Sequence, residues 1–256
     1  MTKYVAILDT ETNIAQKGFD IGILIGDTAG NVVLERSWIL KEEFSTKLYF
    51  EKHRKLYTNR IVDASYPSFY TSVELAFSQI GKILQHYGIT EVYAYNAGFD
   101  ARIMQELAEK YNVTNPLANQ EIECLWSWAC QTFFQQKSFH AFALDNGFVS
   151  KAGNFNTSAE VAYSYMKNQP HFEEEHTSLE DCKIEYEIFL YCLRQKKYRL
   201  RGIVGNPWIL VQTEKQIQKL PKQYRTMQVN LQVKIERAEK LLANLHKDLE
   251  IEVMAD

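Results

Sequence analysis

The chain has 256 residues, 46% of them hydrophobic and 24% charged, a composition that suits a globular protein with one large core and an appendage. Its net charge of −3 excludes a uniformly basic polyanion binder, so any nucleic-acid surface must be local. The first ten residues, MTKYVAILDT, lack a basic segment followed by a long apolar run, and no stretch approaches the roughly 18 apolar residues of a membrane span, so neither a signal peptide nor a membrane role is expected. Tyr4 to Leu8 is a short apolar run that predicts a buried strand with Asp9 at its carboxyl end. Phe19 to Gly26 and Val32 to Leu40 read as two more strands, joined as a hairpin by the turn Asp27-Thr28-Ala29-Gly30-Asn31.

Phe44 to Pro67 has mixed periodicity and reads as a helix-containing connection with Lys47, Lys52, Arg54, Lys55 and Arg60 along it. Ser72 to Tyr87 carries a helical apolar stripe that stops at Gly88. Glu91 to Tyr95 predicts a strand and Asn96-Ala97-Gly98 a turn. Asp100 to Tyr111 predicts a helix with Ile103, Met104, Leu107 and Ala108 on one face. Ile122 to Cys130 predicts a short strand and then a helix, Phe139 to Asn146 a helix ended by Gly147, and Ser158 to Met166 a capped helix. His176 to Leu193 predicts a long helix or a loop entering one. Strands first, then alternating helices and strands, make an α/β fold with a mixed sheet. The cysteines Cys124, Cys130, Cys182 and Cys192 form no Cys-x-x-Cys pair and read as reduced, buried thiols of a cytoplasmic protein.

The tail differs in kind. From residue 194 to residue 225 there are nine Lys or Arg and one acid, Glu214. A last helix after Pro221 is expected. Its apolar positions Leu231, Ile235, Ala238, Leu242, Leu245 and Leu249 make a heptad-like seam, suited to packing back on the main domain, to a homodimer or to a partner.

Three clusters carry chemistry. Residues two apart in a strand share a face, so Asp9 and Glu11 would hold two carboxylates side by side. Their repulsion is relieved by a divalent cation or by open solvent. Asp100 follows the turn at Asn96, at the carboxyl end of a predicted strand, and fits either a ligand site or a helix N-cap. His176 and Asp181 are five apart and share a site only if His176 lies on a loop before the helix that carries Asp181.

Taken together, these clusters resemble the DEDDh family of 3′→5′ exonucleases, which includes polymerase proofreading subunits, RNase T and oligoribonuclease. Asp9-x-Glu11, Asn96-x-x-x-Asp100 and His176-x-x-x-x-Asp181 match its three motifs in order, over about Lys3 to Leu193. The segments Cys124 to Trp128 and Thr157 to Glu160 look similar to a phage and prophage branch. The resemblance implies a ribonuclease-H-like mixed sheet flanked by helices over residues 1–195, and the tail's own charge and apolar spacing make residues 196–256 a basic linker and helical C-terminal extension. It implies two ions, Mg²⁺ or Mn²⁺, with Asp9 bridging both, Glu11 and Asp181 completing the site of the attacking water, and Asp100 on the second ion. His176 would be the general base, an imidazole being suited to proton transfer near neutral pH.

Substrate contacts expected around that site are Thr10, Thr12, Phe19, Asn96 and Phe99. The basic stretches Lys47 to Arg60 and Arg194 to Arg201 could follow a nucleic-acid backbone. One departure stands out: many members have Thr-Gly after the first motif, and this chain has Thr12-Asn13. The expected substrate is a 3′ end, with DNA favoured over RNA. The competing readings are an RNA-trimming enzyme and a silent binding module of the same fold, with a replication protein among the partners the tail could serve.

Overall fold

The computed structural model describes residues 3–44, 51–63, 66–150, 153–195, 197 and 199–211. The expected seam from Leu231 to Leu249 and the basic residue Lys47 lie outside them. The chain opens on an antiparallel meander, β1 (Tyr4–Thr12), β2 (Gly18–Asp27) and β3 (Val32–Leu40). It continues through α1 (Glu51–Val62), β4 (Ser68–Thr71), α2 (Val73–His86), β5 (Glu91–Ala94), α3 (Ala97–Tyr111) and β6 (Glu121–Cys124). Four further helices follow: α4 (Leu125–Gln131), α5 (Lys137–Asp145), α6 (Ala159–Lys167) and α7 (Ser178–Leu193). Among the described residues six strands form one sheet in the order β4-β3-β2-β1-β5-β6. β4 runs parallel to β3, and β5 and β6 run parallel to β1. None of the described helices is long and apolar enough to cross a membrane.

Three boundaries differ from the sequence reading. β1 runs on through Thr12, so Asp9 and Glu11 lie within a paired strand, opposite Gly22 and Asp20 of β2. β4 was not expected, because its four residues are short, largely exposed and preceded by Pro67. α3 begins at Ala97, because the Asn96 carbonyl accepts from Phe99 N–H and closes the first turn early. Asp100 is therefore inside the helix and is not its cap.

Strand alternation sorts β1 between two cores. Val5 and Ile7 pack with helices α4 to α7, whereas Ala6 and Leu8 pack with α2 and α3. The same alternation sends Asp9 and Glu11 toward α7 and Thr10 toward α3. β2 lets α7 come close. A Cβ on Gly22 would lie 2.4 Å from the Ser178 carbonyl oxygen, and one on Gly26 would lie 2.4 Å from the Tyr186 ring. Glycine at these two positions lets the helix backbone rest directly on the sheet. The contact is pinned by Cys182 Sγ donating to Ile7 O (3.7 Å) and Tyr186 Oη donating to Asp27 O (2.7 Å).

Contacts with the sheet and core continue past residue 195. Arg199 and Arg201 each donate to Glu123 at 2.7 Å, and Arg201 also reaches Glu91 at 2.5 Å. Val211 is fully buried in the main core. These two arginines, expected to follow a nucleic-acid backbone, are engaged with the sheet.

Gly22→Val would force the start of α7 off β2. Overpacking of this kind lowers stability by about 2–3 kcal/mol. A urea unfolding midpoint matching that of the unaltered chain would contradict the close contact.

Candidate active site

Three elements bring carboxylates to one place. β1 supplies Asp9 and Glu11, the first turn of α3 supplies Asp100, and the first turn of α7 supplies Asp181. Asp100 is buried, and its Oδ1 accepts from both Thr10 N (3.0 Å) and Thr10 Oγ1 (2.8 Å). That pair of bonds ties α3 to the residue between Asp9 and Glu11. Thr10 is therefore spent on holding Asp100, and at 4% exposure it is not the substrate contact the sequence suggested.

His176 lies on the loop before α7, two residues ahead of Ser178, with φ of +54°. The left-handed backbone region is uncommon for a residue other than glycine, and histidine is among those enriched there. It lets the ring turn back over the helix start. Glu11, His176 and Asp181 offer ligand atoms within 4.8 Å of one another. His176 lies on the loop and Asp181 on the helix, the placement that their spacing requires if they are to share a site.

A buried carboxylate latches this helix in place. Asp20 Oδ2 accepts from Tyr57 Oη (2.7 Å) and from Ser178 N–H (3.2 Å). Its negative charge meets the exposed N–H groups and the positive end of the helix dipole. The Thr177 side chain at the N-cap makes no capping bond, so Asp20 does this from across the sheet.

Electrostatically the cluster is strained toward protonation. Burial, then the charge of Glu185, then those of Asp100, Asp181 and Glu11, push Asp9 well above the usual carboxylate range. The four charges that weigh most on Asp9 are thus all negative. Burial and the charge of Asp20 push Glu11 up to about 7. Burial pushes Asp100 up to about 7 against the two Thr10 hydrogen bonds. Burial, then Glu174 and Glu11, raise Asp181. Asp9 Oδ2 and Asp181 Oδ1 are buried with no hydrogen-bond partner. Orphaned acceptor oxygens in a negative field fit a divalent cation, and hard oxygen donors suit Mg²⁺ or Mn²⁺.

Two acids near this site escaped the sequence reading. Glu185 on α7 is 3% exposed and one helical turn beyond Asp181. Glu174 places Oε2 3.8 Å from His176 Nδ1, and burial raises it to about 7. Glu174 sits in the run Glu173-Glu174-Glu175, which reads as a solvated stretch. Glu185 sits in an apolar helix face, and its spacing of four from Asp181 was the available signal.

The other expected substrate contacts are placed as follows. Phe19 is 2% exposed and packed against Tyr57 at 4.9 Å between ring centroids, so it has no open face for a base. Phe99 is half-buried, with the Arg102 guanidinium 5.1 Å over its ring. Thr12 is half-buried at the bulge that ends β1. Asn96 is exposed and lines a cleft of about 730 Å³ with Trp126, Phe148, Asn156 and Trp208. Asn13, where many DEDDh members have glycine, is buried. Its Oδ1 accepts from Ala15 N and Lys17 N and its Nδ2 donates to Glu43 O, so it folds the β1–β2 loop. Arg60, expected at the nucleic-acid surface, is buried over the Tyr66 ring and paired with Glu175.

No protein-family model and no curated protein matches the sequence. Solved structures do match. One is a 3′-exonuclease described in 3′-end specific recognition of a histone mRNA stem-loop. It shares 9% identity over 80% of this chain and 92% of its own, with a TM-score of 0.51. The chain has a ribonuclease-H-like fold. Two further neighbours score 0.49. The nuclease domain of 3′hExo, a DEDDh family member bound to rAMP, has 9% identity over 78% of this chain and 98% of its own. Cell-death related nuclease 4 (CRN-4) has 14% identity over 76% of this chain and 66% of its own. At these identities what is shared is the fold.

The raised carboxyls set the pH response of the cation-free protein. Each titrates higher when folded than when unfolded, so between the two values the folded state holds more protons. Their contribution is fully present below the unfolded values and is lost as pH rises through the folded ones. In EDTA the melting temperature should fall between about pH 5 and about pH 8, and excess Mn²⁺ should restore it at the upper end. A melting temperature indifferent to both would contradict the electrostatic picture.

Proposed function

We propose that this protein is a 3′→5′ exonuclease that uses two divalent cations, Mg²⁺ or Mn²⁺, to release nucleoside 5′-monophosphates from 3′ ends. The observation that supports it most is the grouping of Glu11 from β1 and Asp181 from α7 with His176, an oxygen of Asp181 being buried without a partner. Asp9, Glu11, Asp100 and Asp181 would hold the ions. When bound, such a pair supplies an activated water and offsets charge on the leaving oxygen.

The chain's own residues do the rest. Asp9 and Glu11 are fixed by strand pairing, and Asp100 is fixed through Thr10, so the oxygens do not rearrange during the reaction. His176 accepts the proton of the attacking water. Its side chain is 45% exposed at the rim, where water and substrate enter. The Glu174 carboxylate, 3.8 Å from Nδ1, would stabilise the ring once it takes up the proton, the role a carboxylate serves beside a general base. The strand approaches along the cleft beside Asn96, where the half-buried Trp126 and Trp208 offer ring faces to unpaired bases.

Single-stranded DNA is the substrate favoured by the sequence resemblance. RNA is the second reading, favoured by the histone mRNA stem-loop recognised by the neighbour of shared fold. The phage branch rests on the segments around Cys124 to Trp128 and Thr157 to Glu160 alone.

Oligonucleotides of DNA and RNA labelled at the 5′ end, incubated with and without EDTA, test the reading. A metal-dependent ladder shortening from the 3′ end is expected. Asp9→Asn should abolish it, and His176→Ala should slow it by roughly 10²–10⁴-fold. No shortening of either polymer would overturn the enzyme reading, and internal cuts would replace it with an endonuclease.

A further inference from the structure

Glu185 has no place in the motif set that the sequence suggested. It lies on α7 four residues after Asp181, so the two side chains share the helix face that rests on β1 and β2. It is 3% exposed, and its Oε2 is buried without a hydrogen-bond partner. Burial, then the charges of Asp100 and Asp181, hold its carboxyl well above the usual range, against the Tyr95 backbone N–H just past β5. Of the side-chain charges acting on Asp9, that of Glu185 is the strongest. The carboxylate is thus buried one helical turn from Asp181, with an unpaired oxygen in the negative field of Asp9, Asp100 and Asp181.

A buried carboxylate left unpaired is costly, and its acidic neighbours raise the cost. A packing role alone would be served better by leucine or glutamine on this apolar face. One Tyr95 N–H does not satisfy two oxygens, whereas a divalent cation takes six or more oxygen donors, and Asp9 and Asp181 leave positions open.

We infer that Glu185 is a fifth carboxylate of the cation site. This rests on the cation-dependent reading above and deepens it. The site then holds acids from two successive turns of α7, Asp181 and Glu185. The extra negative charge strengthens the hold on the ion.

The test is Mn²⁺ titration by calorimetry on the full chain, with Glu185→Gln, Glu185→Asp and Asp9→Asn beside the unaltered protein. Glu185→Gln keeps the shape and removes the charge. It should weaken Mn²⁺ binding roughly ten- to a hundredfold while leaving the melting temperature in EDTA equal or higher. Glu185→Asp keeps the charge but withdraws it by one methylene, and should also bind more weakly. Unchanged Mn²⁺ affinity in Glu185→Gln, with Asp9→Asn impaired, would overturn this inference and leave the cation site standing. Unchanged affinity in Asp9→Asn as well would overturn the cation site itself. If Glu185→Gln fails to fold, Glu185→Asp decides: full Mn²⁺ affinity there refutes the assignment.

Discussion

Carboxylates crowded into a low-dielectric corner repel one another, and a fold that gathers them must be rigid enough to resist. Here the repulsion centres on Asp9, with Glu185, Asp100, Asp181 and Glu11 acting on it. The surrounding geometry can be read as resistance to that force. The backbone of Asp9 and Glu11 is held by antiparallel pairing with β2, opposite Gly22 and Asp20, and β5 pairs with the same strand at Ala6 and Ile7. Asp100 cannot retreat, because both the amide and the hydroxyl of Thr10 hold it. Asp181 and Glu185 ride on a helix whose backbone touches the sheet at Gly22.

The alternation of β1 makes the arrangement economical in residues. Odd positions from Val5 to Glu11 meet α7, and even positions from Ala6 to Thr10 meet α2 and α3. The same period that buries Ile7 delivers Asp9, and the period that buries Leu8 delivers Thr10 to Asp100. Core and site are one pattern, apolar at the start of the strand and polar at its end. A second buried acid, Asp20, joins α1 to α7 by taking Tyr57 Oη and Ser178 N–H on one oxygen.

Much of this was legible in the sequence. The meander, α2, β5 and α7 follow from apolar periodicity, and the order of Asp9, Glu11, Asp100, His176 and Asp181 pointed to one site. What stayed hidden depends on neighbours distant along the chain. Phe19 looked available for stacking because nothing local reveals that Tyr57 covers it. Arg60, Arg199 and Arg201 looked like a nucleic-acid surface because their acidic partners are 76 to 115 residues away. Thr10 looked like a substrate contact because its bond to Asp100 spans 90 residues. Glu185 looked like one acid on an apolar helix, and only its burial and its orphaned oxygen set it apart.

The latch between Asp20 and Ser178 spans 158 residues, and the Cys182 bond to Ile7 spans 175. Contacts this distant form late, because a long loop must close before they return anything. During synthesis the first strand emerges with Asp9 and Glu11, yet the helix bearing Asp181 and Glu185 arrives only after most of the domain. Until then Asp9 and Glu11 stand without His176 and without the acids of α7. On the proposed function, the side chains that cation-dependent cleavage needs come together only once α7 has docked on the sheet.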